Sequence, residues 1–128
     1  MNVLKVEATD TTPFVHFDKE NNIFIMEGKT LPENVNGFYE SIKDWLNEYI
    51  KDPNEETVLQ MKLEYINTAS SKALFSIFIK LEKLIEKGKK AKIVWHYADD
   101  DEDMLDVGEE YSEVIKVPFE FVEFEAED

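Results

Sequence analysis

A short run of hydroxyl side chains near the middle of the chain has the residue types needed for two different chemistries. Thr68, Ser70 and Ser71 follow a strand-like segment at residues 57–66 and precede a helical pattern that is expected to begin near Lys72. Hydroxyls at a helix start can accept hydrogen bonds from the N–H groups that lack partners in the first turn. The same N–H groups and the helix dipole would also stabilise a phosphate carried by one of these side chains. The local pattern leaves both capping and phosphorylation open.

The helical phase distinguishes these hydroxyls from one another. At about 100° per residue, Ser70 projects onto the apolar stripe that contains Leu74 and Ile77, which is the expected core face. Thr68 projects away from that stripe, beside residues that the core face does not need. Apolar side chains in such a place indicate either a partner surface or a wide buried stripe. The residues that we expect to form a partner surface are Asn67, Lys72, Phe75 and Ile79.

Catalytic and cofactor chemistry have little support in the sequence. The two histidines, His16 and His96, lie in strand-like runs without a carboxylate at an interpretable spacing, and such histidines are more often structural than catalytic. The sequence contains no glycine-rich phosphate loop, zinc signature or nucleophile elbow. We therefore expect a protein that is not an enzyme and that binds no cofactor or metal.

The acidic segment at residues 99–110 is the main alternative, because it resembles part of a calcium-binding loop. Three aspartates match the first ligand positions of an EF-hand, and Glu110 falls at the twelfth. Met104, however, occupies the position at which the loop needs a glycine. A solvated acidic face or a helix start is the better interpretation. A small acidic metal- or ligand-binding protein stays as the second hypothesis.

Composition and charge limit the classes of partner and the location. The 128-residue chain is 43% hydrophobic, has a net charge of −15 and contains no cysteine, so it can bury a core without disulfides. Such an acidic surface repels nucleic-acid phosphates and anionic lipid. The first residues lack a signal-peptide pattern, and no apolar run is long enough to cross a bilayer. We expect a cytoplasmic protein that binds neither nucleic acid nor membrane.

Alternating and helical patterns predict the elements that position the hydroxyls. Strands are expected at residues 14–17, 22–28, 57–66, 91–97 and 117–124. The continuous apolar run at 91–97 is typical of a central strand covered on both faces. A first helix should be capped by Asn34, in the Pro32-Glu33-Asn34 turn, and stopped by Pro53. Its expected apolar face consists of Phe38, Ile42, Trp45, Leu46 and Tyr49.

The second helix completes the predicted fold. Gly88 should end it, and the lysines within residues 82–92 should complement its dipole. The alternation of strands and helices predicts a single small α/β domain over residues 1–128, with a mixed β-sheet and helices packed on it. The strands at 57–66 and 91–97 should be parallel. The expected core stripe of this helix consists of Leu74, Ile77, Phe78, Leu81, Leu84 and Ile85.

Three motifs taken together resemble one protein family. They are "LPENVNGFYESIKDWLNEYI", "LEYINTASSKALFSIFIKLEKL" and "VWHYADDDEDMLDVGEEYSE". In their order and spacing they resemble the SiaC family of bacterial regulatory phosphoproteins. The resemblance extends over nearly the whole chain, from "TTPFV" to the last phenylalanine-rich strand. It implies a fold like that of anti-sigma-factor antagonist (STAS) domains.

The resemblance implies a partner-switching module without catalysis. In the family, the unphosphorylated protein binds a diguanylate cyclase and promotes cyclic di-GMP synthesis. A serine/threonine kinase phosphorylates a threonine, and a PP2C-type phosphatase removes the phosphate. That threonine matches Thr68 in "NTASS", where Ala69 replaces a serine that the family often has. Ser70 and Ser71 are then expected to cap and shape the helix start. An effector other than the cyclase stays open.

Overall fold

The strands and helices follow the predicted alternation, with one additional strand near the N-terminus. A computed structural model describes residues 1–127. In chain order the elements are β1 (Leu4–Val6), β2 (Phe14–Asp18), β3 (Ile23–Thr30), α1 (Val35–Lys51), β4 (Glu56–Ile66), α2 (Thr68–Glu86), β5 (Lys90–Ala98), α3 (Glu102–Val114) and β6 (Phe119–Phe124).

The strands form one six-stranded sheet whose spatial order is the sequence order, from β1 to β6. The pairs β1–β2 and β2–β3 are antiparallel, whereas β3, β4, β5 and β6 pair parallel. One helix joins each parallel pair, as a parallel connection requires. The predicted α/β fold with a mixed sheet is confirmed, and so is the parallel crossover from β4 through α2 to β5.

All three helices pack on the same face of the sheet. Phe24 of β3 contacts Trp45 of α1, and Trp95 of β5 contacts both Phe78 of α2 and Tyr111 of α3. The strand register aligns side chains of neighbouring strands in rows on this face. One row of facing side chains runs through Val15, Met26, Met61, Trp95 and Phe121.

Within residues 1–127, no helix packs on the opposite face of the sheet. Its side chains alternate with the core row, so that His16, Ile25, Gln60 and Val94 lie side by side. The expectation that residues 91–97 form a central strand covered on both faces is therefore wrong. β5 is next to the last strand in the sheet, and its continuous apolar run arises because Val94 is buried even on the face without helices.

The ends of the first two helices are where the sequence indicates. Asn34 caps α1 by accepting a hydrogen bond from the Gly37 N–H at 3.0 Å, and α1 ends shortly before Pro53. At the end of α2, Gly88 has a left-handed φ of 82°, and the Lys89 N–H donates to the Leu84 carbonyl at 2.9 Å. This end leaves Ile85 39% exposed, so its predicted place in the core stripe is wrong.

The N-terminal strand β1 was absent from the predicted elements. It has three residues, too few for an alternating pattern to be recognised in the sequence. The segment that precedes β1 is held by a tertiary contact, because the Trp45 indole N–H donates to the Asn2 carbonyl at 2.7 Å. Trp45 is therefore bonded to the N-terminal segment as well as packed in the core.

Candidate functional site

The hydroxyl cluster lies where β4 ends and α2 begins. Asn67 is the N-cap of α2: it has an extended backbone, and its side-chain oxygen accepts a hydrogen bond from the Ser70 N–H at 2.8 Å. The Asn67 N–H donates to the Thr30 carbonyl at 3.1 Å, which ties the cap to the end of β3. The helix therefore starts at Thr68 and not near Lys72, one turn earlier than predicted.

Ser70 lies in the core, as its helical phase predicts, but it is not a cap. Its side chain is fully buried, and its Oγ accepts a hydrogen bond from the Thr30 hydroxyl at 2.9 Å. Thr30 has a single hydroxyl proton, so the Tyr39 hydroxyl must donate to Thr30 at 2.6 Å. A directed hydroxyl chain thus runs from Tyr39 of α1 through Thr30 to Ser70. The predicted capping role of Ser70 is wrong because Asn67 already performs it.

Ser71 makes a second tertiary contact, on the side of α2 that faces α3. The Tyr111 hydroxyl donates to the Ser71 carbonyl at 2.8 Å, and the Ser71 Oγ lies 2.9 Å from the Tyr111 oxygen. Because the tyrosine proton is used, the Ser71 hydroxyl donates in return. Ser71 therefore attaches the first turn of α2 to α3, and the capping role expected for it is wrong as well.

Both tyrosines keep their protons at neutral pH, as these directions require. Burial raises the pKa of Tyr39 to about 12, against the smaller opposite effect of its hydrogen bonds. Burial also raises the pKa of Tyr111 above its usual value. Each phenol therefore keeps its proton: Tyr111 donates directly to Ser71 in the first turn of α2, and Tyr39 donates to Thr30, which in turn donates to Ser70.

Thr68 differs from both serines. It is the first residue of α2 and its side chain is exposed. Among residues 1–127, nothing forms a hydrogen bond with its hydroxyl. Its backbone N–H and that of Ala69 belong to the first turn, in which N–H groups have no helical acceptor and the helix dipole is positive. The Thr68 oxygen is thus available to a reagent in solution.

Thr68 lies at a groove of about 640 Å3 between the N-terminal parts of α1 and α2. Apart from Lys72, the α2 side of the groove is lined by small side chains. Two lysines, Lys43 and Lys72, and one acidic residue, Glu33, line the groove in a protein whose net charge is −15. The lining residues are Glu33, Asn34, Val35, Asn36, Lys43, Thr68, Ala69, Lys72, Ala73 and Ser76.

The outer face of α2 continues the surface beyond the groove. Lys72 is exposed, and Phe75 is 40% exposed, which is high for a phenylalanine within a long helix. Ile79, the next apolar residue on that face, is half-buried and packs against the core. Phe75 is therefore the larger apolar contribution to this face of α2.

The histidines and the acidic segment form no comparable site. His96 Nε2 lies 2.7 Å from the Gln60 side-chain oxygen on the sheet face without helices. Asp101 caps α3 by accepting from the Met104 N–H at 3.0 Å, so most of residues 99–110 is helix start and helix. An EF-hand would instead need this segment as a loop around the ion. Within residues 1–127, no three His, Asp or Glu side chains are grouped closely enough to hold a metal ion.

Comparison with known families decides the class of this protein. A family model described as "SiaC family regulatory phosphoprotein" matches residues 6–124. The chain belongs to the SiaC family. The predicted resemblance is confirmed, and it covers every strand and helix except the first residues of β1.

Solved SiaC structures from Pseudomonas aeruginosa have the same fold. In one, SiaC is in complex with the diguanylate cyclase SiaD, of which it is the activator; that SiaC chain is 28% identical, with a TM-score of 0.89 over 94% of this chain and 99% of that one. Apo-SiaC is 29% identical, with a TM-score of 0.87 over 95% and 99% of the two chains. SiaC of Pseudomonas aeruginosa, which has the family and the fold of this chain, therefore binds a protein partner.

The chain is also similar in sequence to a protein of the same species. An uncharacterized protein of Pseudomonas aeruginosa strain UCBPP-PA14 is 29% identical over 119 residues, which cover 93% of this chain and 94% of that protein.

Among the helices in residues 1–127, none has both the length and the apolar content to cross a membrane.

Four residues of the candidate site were not predicted from the sequence. Thr30 and Tyr111 are each 40 positions from the serine they contact, so helical phase could not pair them. Tyr39 does have a signal, because it repeats at helical spacing with the buried residues of α1, whereas Phe38, which was expected on that face, is half-buried. Lys43 was missed because the phase of α2 does not indicate which helix lies beside it.

Proposed function

We propose that the chain is a non-catalytic cytoplasmic regulator that is switched by phosphorylation of the Thr68 hydroxyl. The unphosphorylated form binds and activates a diguanylate cyclase, and phosphorylation releases this partner. The observation that carries the proposal is the exposed Thr68 hydroxyl, which has no hydrogen-bond partner in residues 1–127 and lies beside the groove. Membership of the SiaC family and the complex of SiaC with SiaD support the class of partner.

The acceptor chemistry requires a hydroxyl that can enter a kinase active site. The Thr68 Oγ1 attacks the γ-phosphorus of a nucleoside triphosphate, its proton passes to the general base of the kinase, and the nucleoside diphosphate leaves. A PP2C-type phosphatase would return the hydroxyl by transferring the phosphoryl group to water. The exposed position at the first residue of α2 suits both enzymes, because no tertiary hydrogen bond must be broken.

The phosphorylated form is compatible with this part of the fold. A phosphate adds about −1.5 to −2 charges at neutral pH. It would lie beside the unpaired N–H groups and positive dipole of the first turn, which stabilise an anion by about 0.3–1 kcal/mol. Lys72, one helical turn along from Thr68, adds a cation on the same side of α2. Phosphorylation therefore changes the surface without disrupting the helix.

The same charge would oppose binding of the cyclase. The proposed partner surface combines Thr68 with Lys43, Lys72 and the exposed ring of Phe75. An interface formed around a neutral hydroxyl would have to desolvate a phosphate dianion, and the phosphate would also neutralise the lysines. A loss of about 1.4 kcal/mol reduces affinity tenfold, so a penalty of a few kcal/mol is sufficient for a switch.

Phosphopeptide mapping and a cyclase assay test the proposal. The chain, tagged and isolated from its native cell, should carry phosphate on the peptide that contains Thr68, and Thr68→Ala should remove it. The diguanylate cyclase that co-purifies with Thr68→Ala is then expressed separately, and its cyclic di-GMP synthesis should rise when the purified chain is added. A cyclase whose rate is unchanged by the chain, or phosphate found outside the first turn of α2, would contradict the proposal.

A further inference from the structure

We infer that Thr30, Tyr39 and Tyr111 are positioning residues for phosphorylation of the chain, because they hold the Ser70 and Ser71 hydroxyls in the fold and leave Thr68 as the acceptor. The inference rests on the proposed function and assigns the selection among the three hydroxyls to contacts within the chain itself.

The first contact removes Ser70 from any kinase. Thr30, Tyr39 and Ser70 are all fully buried, and their oxygens are joined at 2.6 and 2.9 Å. The Ser70 N–H is also bonded to the Asn67 cap at 2.8 Å. To reach the γ-phosphorus of a nucleoside triphosphate, the Ser70 hydroxyl would have to leave the core together with the first turn of α2.

The second contact holds Ser71 from the other side. Its carbonyl accepts from the Tyr111 hydroxyl at 2.8 Å, and its own hydroxyl donates to the same oxygen at 2.9 Å. Tyr111 is itself buried, with its ring against Phe78 and Trp95. Ser71 is only half-buried, so its protection from a kinase depends more on the hydrogen bond to Tyr111 than on burial of the side chain.

The two contacts together fix the turn that presents Thr68. One runs from α2 to β3 and α1, and the other runs from α2 to α3, so the first turn is held on both flanks. Thr68 precedes both serines and takes part in neither contact. Its hydroxyl therefore projects from a fixed turn, which is the arrangement that a kinase active site can accept.

The first test maps phosphate in the native cell in a Thr68→Ala background. Thr68→Ala alone should carry only a trace of phosphate on Ser70 and Ser71. Adding Tyr111→Phe removes both hydrogen bonds that hold Ser71 and should raise phosphate on Ser71 at least about tenfold over that trace, the factor expected from the loss of even one buried hydrogen bond. Thr57→Val is the matched control: it removes the buried Tyr49–Thr57 hydroxyl bond of 2.6 Å at the other end of α1. In the same background it should leave phosphate on Ser70 and Ser71 at the level of Thr68→Ala alone.

The second test measures amide hydrogen exchange of the purified chain and needs no kinase. Thr30→Val should speed exchange at the Ser70 and Ser71 amides about tenfold relative to Thr57→Val, since both variants lose one buried hydroxyl but only the first loosens this turn. Equal exchange in the two variants would overturn the positioning role.

The outcomes separate this inference from the proposed function. If wild type carries no phosphate, the proposed function fails, and the exchange experiment alone decides whether the turn is held by these contacts. If Thr68→Ala acquires phosphate on Ser70 or Ser71 at the level of Thr68 in wild type, acceptor selection by these residues is wrong. A gain in the Thr57→Val control as large as that in Tyr111→Phe would also contradict it.

Discussion

At the level of single residues, side chains of similar chemistry take different roles within one turn of α2. Asn67 accepts the hydrogen bond from the first turn, Ser70 accepts from Thr30 in the core, and Ser71 pairs with Tyr111. Thr68 is exposed. These differences follow from the direction of each side chain around the helix axis and from which element lies on that side.

Loss of the Asn67 cap should destabilise the protein. Asn67→Ala removes the acceptor for the Ser70 N–H, and an N-cap substitution of this kind costs about 0.5–2 kcal/mol. The free energy of unfolding from urea denaturation measures it. Asn67→Asp keeps the acceptor and should retain most of the stability. Equal stability of the Ala variant and wild type would show that the cap does not hold the first turn.

The stability of the protein should depend on pH through His96. Burial lowers the pKa of His96, and the nearby Lys62 ammonium lowers it further. As the pH falls through about 6.5, the ordinary histidine pKa, the unfolded chain binds a proton that the folded chain does not. Stability should therefore be full above this pH and fall below it. Urea midpoints at several pH values for wild type and His96→Gln test this: the variant should lose this part of the pH dependence, and identical profiles would contradict it.

The directions of the hydroxyl side chains at the start of α2 could be predicted from the sequence, but their hydrogen-bond partners could not. The helical phase placed Ser70 inside and Thr68 outside, and the structure agrees on both. The roles of Ser70 and Ser71 as caps were wrong because Thr30 and Tyr111 come from distant parts of the chain. A hydroxyl at a helix start looks the same in a sequence whether it bonds to the backbone or to another element.

At the level of elements, α3 depends on a close approach to β5. A Cβ built at Gly108 would lie 2.6 Å from the Trp95 indole and 2.9 Å from the Phe121 ring, both on the core face of the sheet. The Trp95 indole N–H also donates to the Met104 carbonyl of α3 at 2.9 Å. Glycine at this position lets the helix pack directly on the ring.

Gly108→Ala should therefore destabilise the protein despite the better helix propensity of alanine. Overpacking of this kind costs about 1–3 kcal/mol, which exceeds the gain of about 1 kcal/mol expected from replacing a helical glycine. At the exposed neighbour Glu109, the difference in stability between Glu109→Ala and Glu109→Gly measures the effect of propensity without the clash. Denaturant unfolding compares these variants. A Gly108→Ala protein more stable than wild type would mean that α3 can move away from Trp95 at little cost.

The elements were largely predictable because their patterns are local. Asn34 and Gly88 fix helix ends through capping chemistry that the sequence displays, and the structure has both ends there. The start of α2 was placed one turn late because the hydroxyl run has no apolar residue on the core stripe before Ala73 and Leu74. β1 has too few residues for a period to appear.

At the level of the whole molecule, the order of the strands determines where the site lies. The parallel strands succeed one another in one direction across the sheet, so their connecting helices all lie on one face. Each helix N-terminus then follows the carboxyl end of a parallel strand, and the caps Asn34, Asn67 and Asp101 lie along the same edge. The groove beside Thr68 is the space between two of these N-termini.

The net charge of the molecule should make its stability rise with salt. The chain has 29 acidic residues and 14 lysines, and the five ion pairs in residues 1–127 are largely exposed. Screening removes more repulsion than attraction in such a protein. The Tm should increase by a few degrees between 20 mM and 500 mM NaCl, at roughly 4 °C for each kcal/mol relieved. Calorimetry of wild type and of Glu109→Gln/Glu113→Gln tests this: the variant should show a smaller rise, and a fall in Tm with salt would contradict it.

The sequence predicted the order and pairing of the elements better than it predicted the surfaces that they form. Alternating strands and helices indicated a mixed sheet with a parallel crossover, which the structure has. The coverage of the sheet was wrong, because a continuous apolar run such as residues 91–97 arises whenever neighbouring strands bury one another's side chains. The groove depends on how α1 and α2 approach each other, which no local pattern contains.

The central claim is that a negative charge at Thr68 blocks binding of the diguanylate cyclase. Isothermal titration calorimetry of the purified cyclase with wild type, Thr68→Ala and Thr68→Glu tests it most directly, with Ser41→Glu as a control that adds the same charge at an exposed position of α1 outside the groove. We predict that Thr68→Ala and Ser41→Glu bind with the Kd of wild type, and that Thr68→Glu binds at least about tenfold more weakly, a loss of about 1.4 kcal/mol. Unchanged affinity of Thr68→Glu, or equal weakening by Ser41→Glu, would contradict the switch at Thr68.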